Sequence, residues 1–264
     1  MVSKIRKFSM NQIHIAFQGF EIERISDPII RMKADRAYLF IYQDEKTEKF
    51  IEECKTIEKQ LKDNNIEVIR KGIDLLDYVA VIQNVSKVIK DEREKDPQVK
   101  IFINISVGTK ITAIAGMDAC RFWDCFPYYV KGENYISEKE ITKNTRALSS
   151  GKMETLQPPL FQLKKPPPNL IEALKIIVER KIGIYKKEFR KKLLAKNLLV
   201  IQKKYEPHET SNKLSAEYMA MNQQYIFPLR DEWDYIHVSK TKRNQKITLT
   251  EYGKEASQIF KVLP

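Results

Sequence analysis

Residues 101–110, IFINISVGTK, decide the class of fold, because an apolar run changes there into a short polar loop. The first five residues, IFINI, are apolar at all positions but one, which is typical of a strand buried on both faces. Gly108 and Thr109 then lead into a stretch rich in small residues that predicts a helix to about Arg121. A buried strand followed by a glycine turn and a helix is the repeating unit of parallel α/β sheets.

The same alternation of strand and helix extends on both sides of this segment. Apolar runs predict the other strands at residues 13–17, 37–42, 66–69 and 126–130. Helical spacing of apolar residues predicts the intervening helices at about 22–33, 45–64 and 74–90. We therefore expect residues 1–150 to form an α/β, Rossmann-like domain with a mainly parallel sheet and helices on both faces.

Two proline clusters, Pro158-Pro159 and Pro166-Pro167-Pro168, interrupt this pattern. Consecutive prolines favour polyproline II and block both helices and central strands. The sequence therefore predicts a Pro-rich linker over residues 151–168.

Helical periodicity returns after the prolines. It predicts helices that begin near residues 169, 185 and 210, the last of them ended by Pro228, since proline lacks the N–H group that a helix needs. Two short strands, 235–238 and 246–249, flank a polar turn and precede a closing helix capped by Thr250. This order predicts an α+β winged helix-turn-helix domain in residues 169–264.

The positive charge lies almost entirely in the C-terminal part. The chain has a formal net charge of +12, and residues 152–264 hold 22 Lys and Arg against 12 Asp and Glu, whereas residues 1–151 hold 25 against 23. Such an asymmetry indicates a polyanionic partner for the C-terminal part, because phosphate neutralisation releases condensed counterions. The alternative is a solvated basic surface with no partner.

Two polar loops are candidates for ligand binding, since ligands of parallel sheets bind beyond the carboxyl ends of the strands. One follows the first strand and the other follows the fourth. The spacing fits neither a dinucleotide fingerprint nor a P-loop, so we expect a nucleotide or phosphate site of another kind, and ordinary turn chemistry is the alternative. The candidate ligand-binding residues are Gln18, Gly19, Phe20, Glu21, Arg24, Ser106, Val107, Gly108, Thr109 and Lys110.

The third predicted helix of the C-terminal domain and the turn of its hairpin are candidates for DNA binding. Amides and hydroxyls near the start of a recognition helix read base edges, and basic residues on the wing contact phosphates or the minor groove. The candidate DNA-binding residues are Ser211, Asn212, Lys213, Ser215, Asn222, Lys240, Lys242 and Arg243. A winged helix used only for dimerisation or protein contact is the alternative.

Other chemistry finds little support in the sequence. The three histidines and three cysteines lack the spacing of metal ligands, and nucleophile motifs are absent, so we expect no metal, no catalytic residue and no enzyme activity. The basic start is not followed by an apolar stretch, and no run approaches the roughly 20 residues of a membrane span. We therefore expect a cytoplasmic protein without a membrane partner.

Taken in order, these motifs resemble archaeal transcription regulators that join a CARF (CRISPR-associated Rossmann fold) domain to a winged helix. The resemblance rests on Gly19-Phe20-Glu21 with Arg24, and on residues 104–110. In the C-terminal domain it rests on residues 218–229, on Tyr235-Ile236 and on residues 249–253. Val107 departs from the family, in which glycine or a small polar residue is common at this position.

The resemblance implies a homodimer that binds a cyclic oligoadenylate second messenger, in the first instance the tetra-adenylate, across its two-fold axis. It also implies double-stranded DNA as the partner of the winged helix, a role in CRISPR-linked antiviral defence, and no cofactor. Two alternatives remain open. One is a metal-independent ring nuclease that uses Lys110 and Ser106, and the other is a constitutive DNA-binding dimer without a ligand.

Overall fold

The computed structural model describes residues 11–43, 50–137, 147–160, 164–180, 182–201, 203, 205–206, 208–241 and 244–261. The chain divides into two compact units, with the boundary between Leu163 and Lys164. We call the first unit the α/β domain and the second the winged helix.

The α/β domain is built on one six-stranded sheet with the order β3-β2-β1-β4-β5-β6. Neighbours from β3 to β5 pair in parallel, whereas β6 runs antiparallel to β5. The predicted Rossmann-like class is therefore confirmed. The elements are β1 Gln12–Phe17, α1 Ile22–Arg31, β2 Arg36–Tyr42, α2 Ile51–Asp63, β3 Glu67–Ile73, α3 Tyr78–Lys95, β4 Lys100–Asn104, α4 Lys110–Trp123, β5 Phe126–Tyr135 and β6 Ser149–Leu156.

The order of the strands fixes the place of the candidate site. β1 lies between β2 and β4, so the chain winds in one direction from β1 to β3 and in the other from β4 to β5. Their carboxyl ends share one edge of the sheet, and β1 and β4 are adjacent in register from Gln12 and Lys100 onward. The loops after β1 and β4 must therefore meet at the point where the winding reverses.

The sixth strand corrects the predicted start of the linker. β6 includes residues 151–156, which the sequence analysis assigned to the Pro-rich linker. Only Ser149 and Met153 of this strand are buried, so its apolar signal is weak. The prolines begin at Pro158 and end the strand, but they do not prevent it.

The winged helix has the predicted class of fold. Its three-stranded sheet has the order β7-β9-β8. The closing helix is capped as expected, since Thr250 Oγ1 accepts a hydrogen bond from Gly253 N–H at 2.8 Å. The elements are α5 Pro168–Val178, β7 Ile184–Tyr185, α6 Lys186–Ala195, α7 Thr210–Met221, β8 Ile236–Val238, β9 Lys246–Leu249 and α8 Glu251–Phe260.

The expectation that Pro228 ends the third helix is wrong. The chain continues beyond α7 as wider π-helical turns, Asn222–Ile226 and Pro228–Glu232. In these turns the hydrogen bonds run five residues back, as from Trp233 N–H to Pro228 C=O at 3.1 Å. The wider turn relieves the clash that proline makes with the carbonyl four residues earlier, and a buried Leu229 anchors the extension.

Candidate ligand-binding cavity and nucleic-acid surface

The loops after β1 and β4 enclose one cavity of about 210 Å³. Residues 18–21 and 106–109 all line it, so the structure brings the two predicted loops together. Arg24 and Lys110 do not line the cavity, although the sequence analysis named both as ligand-binding residues. The lining residues are Gln18, Gly19, Phe20, Glu21, Tyr42, Phe50, Ser106, Val107, Gly108, Thr109 and Leu148.

Gly19 and Val107 hold the two loops against each other. A Cβ atom on Gly19 would lie 2.1 Å from Val107 Cγ1, so only glycine leaves room for this valine. Val107 is itself buried in the core cluster that Ala16 and Ile25 share. Packing against Gly19 therefore explains why a valine stands at position 107, where glycine or a small polar residue is common in the family that the sequence resembles.

The turn into α4 is fixed by a left-handed glycine and by a capping box. Gly108 has φ +97°, a conformation that side chains rarely adopt. Thr109 Oγ1 accepts a hydrogen bond from Thr112 N–H at 3.1 Å, and Thr112 Oγ1 accepts one from Thr109 N–H at 2.9 Å. The backbone N–H groups of Thr109 and Thr112 are thus satisfied within the helix and are not open to an anion.

Glu21 and Arg24 form a buried ion pair. The guanidinium of Arg24 donates to the Glu21 carboxylate, and its Nε donates to the Val130 carbonyl at 3.0 Å. Ser149 on β6 donates to the other oxygen of Glu21 at 2.6 Å. Through these contacts, Arg24 joins the first loop to β5 and, by way of Glu21, to β6. Its position therefore does not support the predicted role in ligand binding.

Ser106 is likewise engaged by the fold. Its hydroxyl donates to Asn104 Oδ1 at 2.6 Å and accepts from Val130 N–H at 2.6 Å. Asn104 in turn donates to the Arg24 carbonyl at 2.9 Å. The hydroxyl of Ser106 therefore serves first to connect β4 with β5, while the residue still lines the cavity.

An aromatic wall supplies the part of the site that the sequence analysis missed. The rings of Phe20 and Phe50 lie 4.3 Å apart between centroids, and the Tyr42 ring lies 5.8 Å from that of Phe50. Phe20 is 39% exposed. Tyr42 ends β2 and so shares the sheet edge with both loops, a signal that could have identified it. Phe50 falls within the helix predicted at about 45–64, and its local sequence does not mark it as part of a ligand site.

Gln18 lines the cavity, and the orientation of its side-chain amide is fixed. Its Oε1 accepts a hydrogen bond from Tyr42 N–H at 2.8 Å, which identifies Nε2 as the donor end. Nε2 is buried and has no hydrogen-bond partner among the described residues. A buried donor without a partner costs about 1–3 kcal/mol, so this atom is a candidate to bind a ligand acceptor.

The predicted recognition helix presents most of its candidate residues to solvent. Ser211, Asn212, Lys213 and Ser215 on α7 are all exposed. Asn222 is different, because its Oδ1 accepts a hydrogen bond from Lys186 Nζ at 3.1 Å and thereby ties the helix to α6. The expected DNA contact of Asn222 is therefore not supported by its position.

The wing is described in part. Lys240 is exposed, in agreement with a contact to DNA, but Lys242 and Arg243 lie outside the described residues. β8 and β9 pair in antiparallel register, for example Val238 with Ile247.

Few features of the described residues suggest metal chemistry. No group of three or more His, Cys, Asp or Glu side chains in the described ranges could hold a metal ion. His14 is fully buried between Phe102 and Tyr128, and burial lowers its pKa from 6.5 to about 3. In the same ranges, no helix has the length and hydropathy needed to cross a membrane.

Each unit matches a known protein family. Residues 12–135 match the family described as HFX_2341_N-like, N-terminal. Residues 169–261 match the DUF6293 C-terminal winged helix domain. Among curated proteins, the chain is 31% identical over 139 residues to "Uncharacterized protein MJ1513" of Methanocaldococcus jannaschii. That match takes in 48% of this chain and 41% of the relative, so the chain spans less than half the length of the relative.

Three solved structures are similar at low sequence identity. Csm6 of Enterococcus italicus, bound to cyclic hexa-2'-fluoro-hexa-dAMP, has a TM-score of 0.39 at 16% identity, over 47% of this chain and 34% of that one. Can2 of Sulfobacillus thermosulfidooxidans, in complex with cyclic tetra-adenylate, has a TM-score of 0.39 at 13% identity, over 92% and 77%. Protein VC1899 of Vibrio cholerae has a TM-score of 0.37 at 11% identity, over 96% and 66%.

The two family matches show an N-terminal domain of a known family followed by a winged helix domain.

Proposed function

We propose that this chain, a CARF-type α/β domain joined to a DUF6293-type winged helix, is a transcription regulator that binds a cyclic oligoadenylate and double-stranded DNA. One observation carries the proposal. The loops after β1 and β4 form a single cavity with an aromatic wall, at the edge where the winding of the sheet reverses. This is the position at which parallel α/β sheets bind nucleotides.

The chemistry of the cavity supports a nucleotide. The half-exposed Phe20 ring, backed by Phe50, offers a face on which a base can stack. The Nε2 donor of Gln18 would bind an acceptor on that base or its ribose. The carboxylate of Glu21 is already held by Arg24 and Ser149, so it would not repel a phosphate strongly. Lys110 is exposed at the start of α4 and would add positive charge nearby.

The size of the cavity supports a dimer. Its volume of about 210 Å³ is below the roughly 300–1,000 Å³ of pockets that enclose a whole small molecule. A ring of several nucleotides would therefore extend beyond one cavity. A second copy of the chain, related by a two-fold axis, would supply an equal cavity for the other half of a symmetric ring.

We further propose that the chain binds the ring without cleaving it. A ring nuclease would need Ser106 and Lys110 beside the reacting phosphate. The hydroxyl of Ser106 is engaged by Asn104 and Val130, and Lys110 does not line the cavity. Chromatography of cyclic tetra-adenylate after long incubation with the protein tests this point, and linear products would favour the nuclease.

Calorimetric titration with cyclic tetra-adenylate tests the sensor. The expected result is saturable binding at one ring per two chains, with sedimentation equilibrium showing a dimer. Binding of one ring per chain would overturn the shared site. If cyclic tetra-adenylate and cyclic hexa-adenylate both fail to bind, the α/β domain has another role.

A DNA-binding assay tests the regulator. A preferred duplex is first selected from a randomised library and then titrated at fixed salt, with and without saturating cyclic tetra-adenylate. The proposal expects the ligand to change the affinity for DNA, because a ligand can shift only an equilibrium between states that it binds differently. An unchanged affinity would instead favour a constitutive DNA-binding dimer.

A further inference from the structure

A groove in the winged helix, distinct from the predicted recognition helix α7, lies between α6 and the wing. Its volume is about 480 Å³, more than twice that of the ligand cavity. It is lined by Tyr185, Lys187, Glu188, Lys191 and Asn244. We call it the α6–wing groove.

The structure divides the basic run of α6 into two groups, which the sequence does not distinguish. Three of its five cations are engaged by protein groups. Lys186 donates to Asn222 at 3.1 Å, Arg190 pairs with the buried carboxylate of Glu217, and Lys192 pairs with Glu179 at 2.6 Å.

The other two cations of α6 are Lys187 and Lys191. Both are exposed, both line the groove, and neither ammonium group has a partner among the described residues. They stand four residues apart and therefore share one face of the helix. The cations left open to a ligand are thus the two that face the groove.

The remaining groups of the groove favour an anion. Glu188, the carboxylate among the described lining residues, is neutralised by Arg180, whose Nε donates to it at 2.9 Å. Tyr185 is half-exposed and lines the groove, with Lys246 Nζ 6.0 Å from the centre of its ring. Asn244, which has φ +52° at the turn of the wing, contributes an amide side chain to the lining.

We infer that the α6–wing groove holds the phosphodiester backbone of one DNA strand, with Lys187 and Lys191 each neutralising a phosphate. The inference rests on the proposed function, because the same duplex must contact α7. The groove would then contribute affinity for DNA of any sequence, since phosphate contacts position the protein while base contacts specify the sequence.

The test compares the salt dependence of DNA binding in the full chain and in Lys187→Gln/Lys191→Gln. The slope of log affinity against log salt should be shallower in the double variant by about 1.8, which is about 0.9 for each phosphate that is no longer neutralised. The affinities for the selected and a scrambled duplex should fall by the same factor. Lys187→Arg/Lys191→Arg keeps the charges and should keep the slope.

Lys196→Gln is the matched control, because Lys196 is an exposed lysine just beyond α6 that does not line the groove. It should reduce the slope by much less than one groove lysine does. Thermal denaturation of each variant checks that the winged helix is folded.

The outcomes separate the inference from the proposed function. A folded double variant with the wild-type slope, while wild type binds DNA, overturns the groove and leaves the regulator intact. A wild-type chain that binds no duplex at low salt overturns both. A fall in affinity for the selected duplex alone would show that these lysines read bases, and it would also contradict the inference.

Discussion

The ligand loops of the α/β domain and the recognition helix of the winged helix both carry polar residues in a loop or at the start of a helix. The two regions differ in whether these polar side chains are bonded within the domain or exposed to solvent. In and next to the loops, Arg24 on α1, Ser106 and Thr109 are engaged by hydrogen bonds within the domain. On α7, Ser211 and Lys213 are exposed. The type of a residue therefore indicates a site, but its availability depends on what surrounds it.

The surroundings differ for a physical reason. The loops lie at the end of a sheet, where neighbouring strands bring N–H and C=O groups that must be paired once they are buried. On β5, for example, the N–H group of Val130 donates to Ser106 and its carbonyl accepts from Arg24. The first turn of α7 is exposed instead. Ring faces, glycine backbone and the Gln18 amide therefore remain at the ligand cavity, whereas the first residues of α7 keep their polar side chains exposed.

The largest expected effect concerns His14, which belongs to the interior of the α/β domain. Burial lowers its pKa to about 3, so between pH 6.5 and 3 the unfolded chain binds a proton that the folded chain does not. Stability is therefore present in full above pH 6.5 and is lost as the pH falls toward 3, by up to about 5 kcal/mol at about 1.4 kcal/mol per pKa unit.

Urea denaturation at pH 7, 5 and 4 measures this loss. His14→Gln should show a smaller fall in stability between pH 7 and 4 than the wild-type chain. An equal fall in stability in both proteins would contradict the assignment of this loss to His14. His208 and His237 in the winged helix are exposed, and their substitution by Gln is the control.

The Glu21–Arg24 pair gives the next largest effect. Arg24→Leu should destabilise the α/β domain by about 3 kcal/mol, because it leaves the largely buried carboxylate of Glu21 without its counter-ion. Denaturation followed by circular dichroism measures the change. A cost below about 1 kcal/mol would mean that Arg24 is available to a ligand after all, and the two regions would then no longer differ in this respect.

Gly19 tests the contact between the two loops. Gly19→Ala should cost about 1–3 kcal/mol, because the new Cβ would overlap Val107 Cγ1. In the double variant with Val107→Ala, part of this cost should be recovered. Additive costs in the double-mutant cycle would argue against the packing explanation of Val107.

Phe20 should affect ligand binding and leave the fold intact. Phe20→Ala should weaken the binding of cyclic tetra-adenylate about tenfold or more, since stacking of a base on an aromatic ring contributes about 1–3 kcal/mol. Calorimetric titration measures the loss. Leu76→Ala, which removes another exposed apolar side chain outside the cavity, is the control and should bind like the wild type.

The smallest expected effect concerns the winged helix, where Lys213 is compared with Asn222. Lys213→Gln should reduce the salt slope of DNA binding by about 1 and change the stability by less than about 0.5 kcal/mol. Asn222→Ala should leave the preference for the selected over a scrambled duplex unchanged, because its partner is Lys186. A loss of that preference in Asn222→Ala would restore it as a contact to a base.

Much of the fold follows from local pattern. The five parallel strands, their helices and the winged helix were predicted because apolar periodicity is strong there, as in β4, where Ile101 and Ile103 are buried. The sixth strand was missed because Ser149 and Met153 alone mark it. The helix end at Pro228 was misjudged because a π-helical turn, which accommodates proline, leaves no signal in the local sequence.

The sequence by itself determined the two domains, the class of each and the two polar glycine loops at the carboxyl ends of strands, because apolar periodicity and the alternation of strands and helices depend on local residue type. Only the tertiary structure decided which polar groups stay available. Ser106 is hydrogen-bonded to Val130, and Asn222 is hydrogen-bonded to Lys186. Phe50 lines the cavity from the start of a separate helix. Such partners lie many residues apart in the chain, and packing alone brings them within reach of one another.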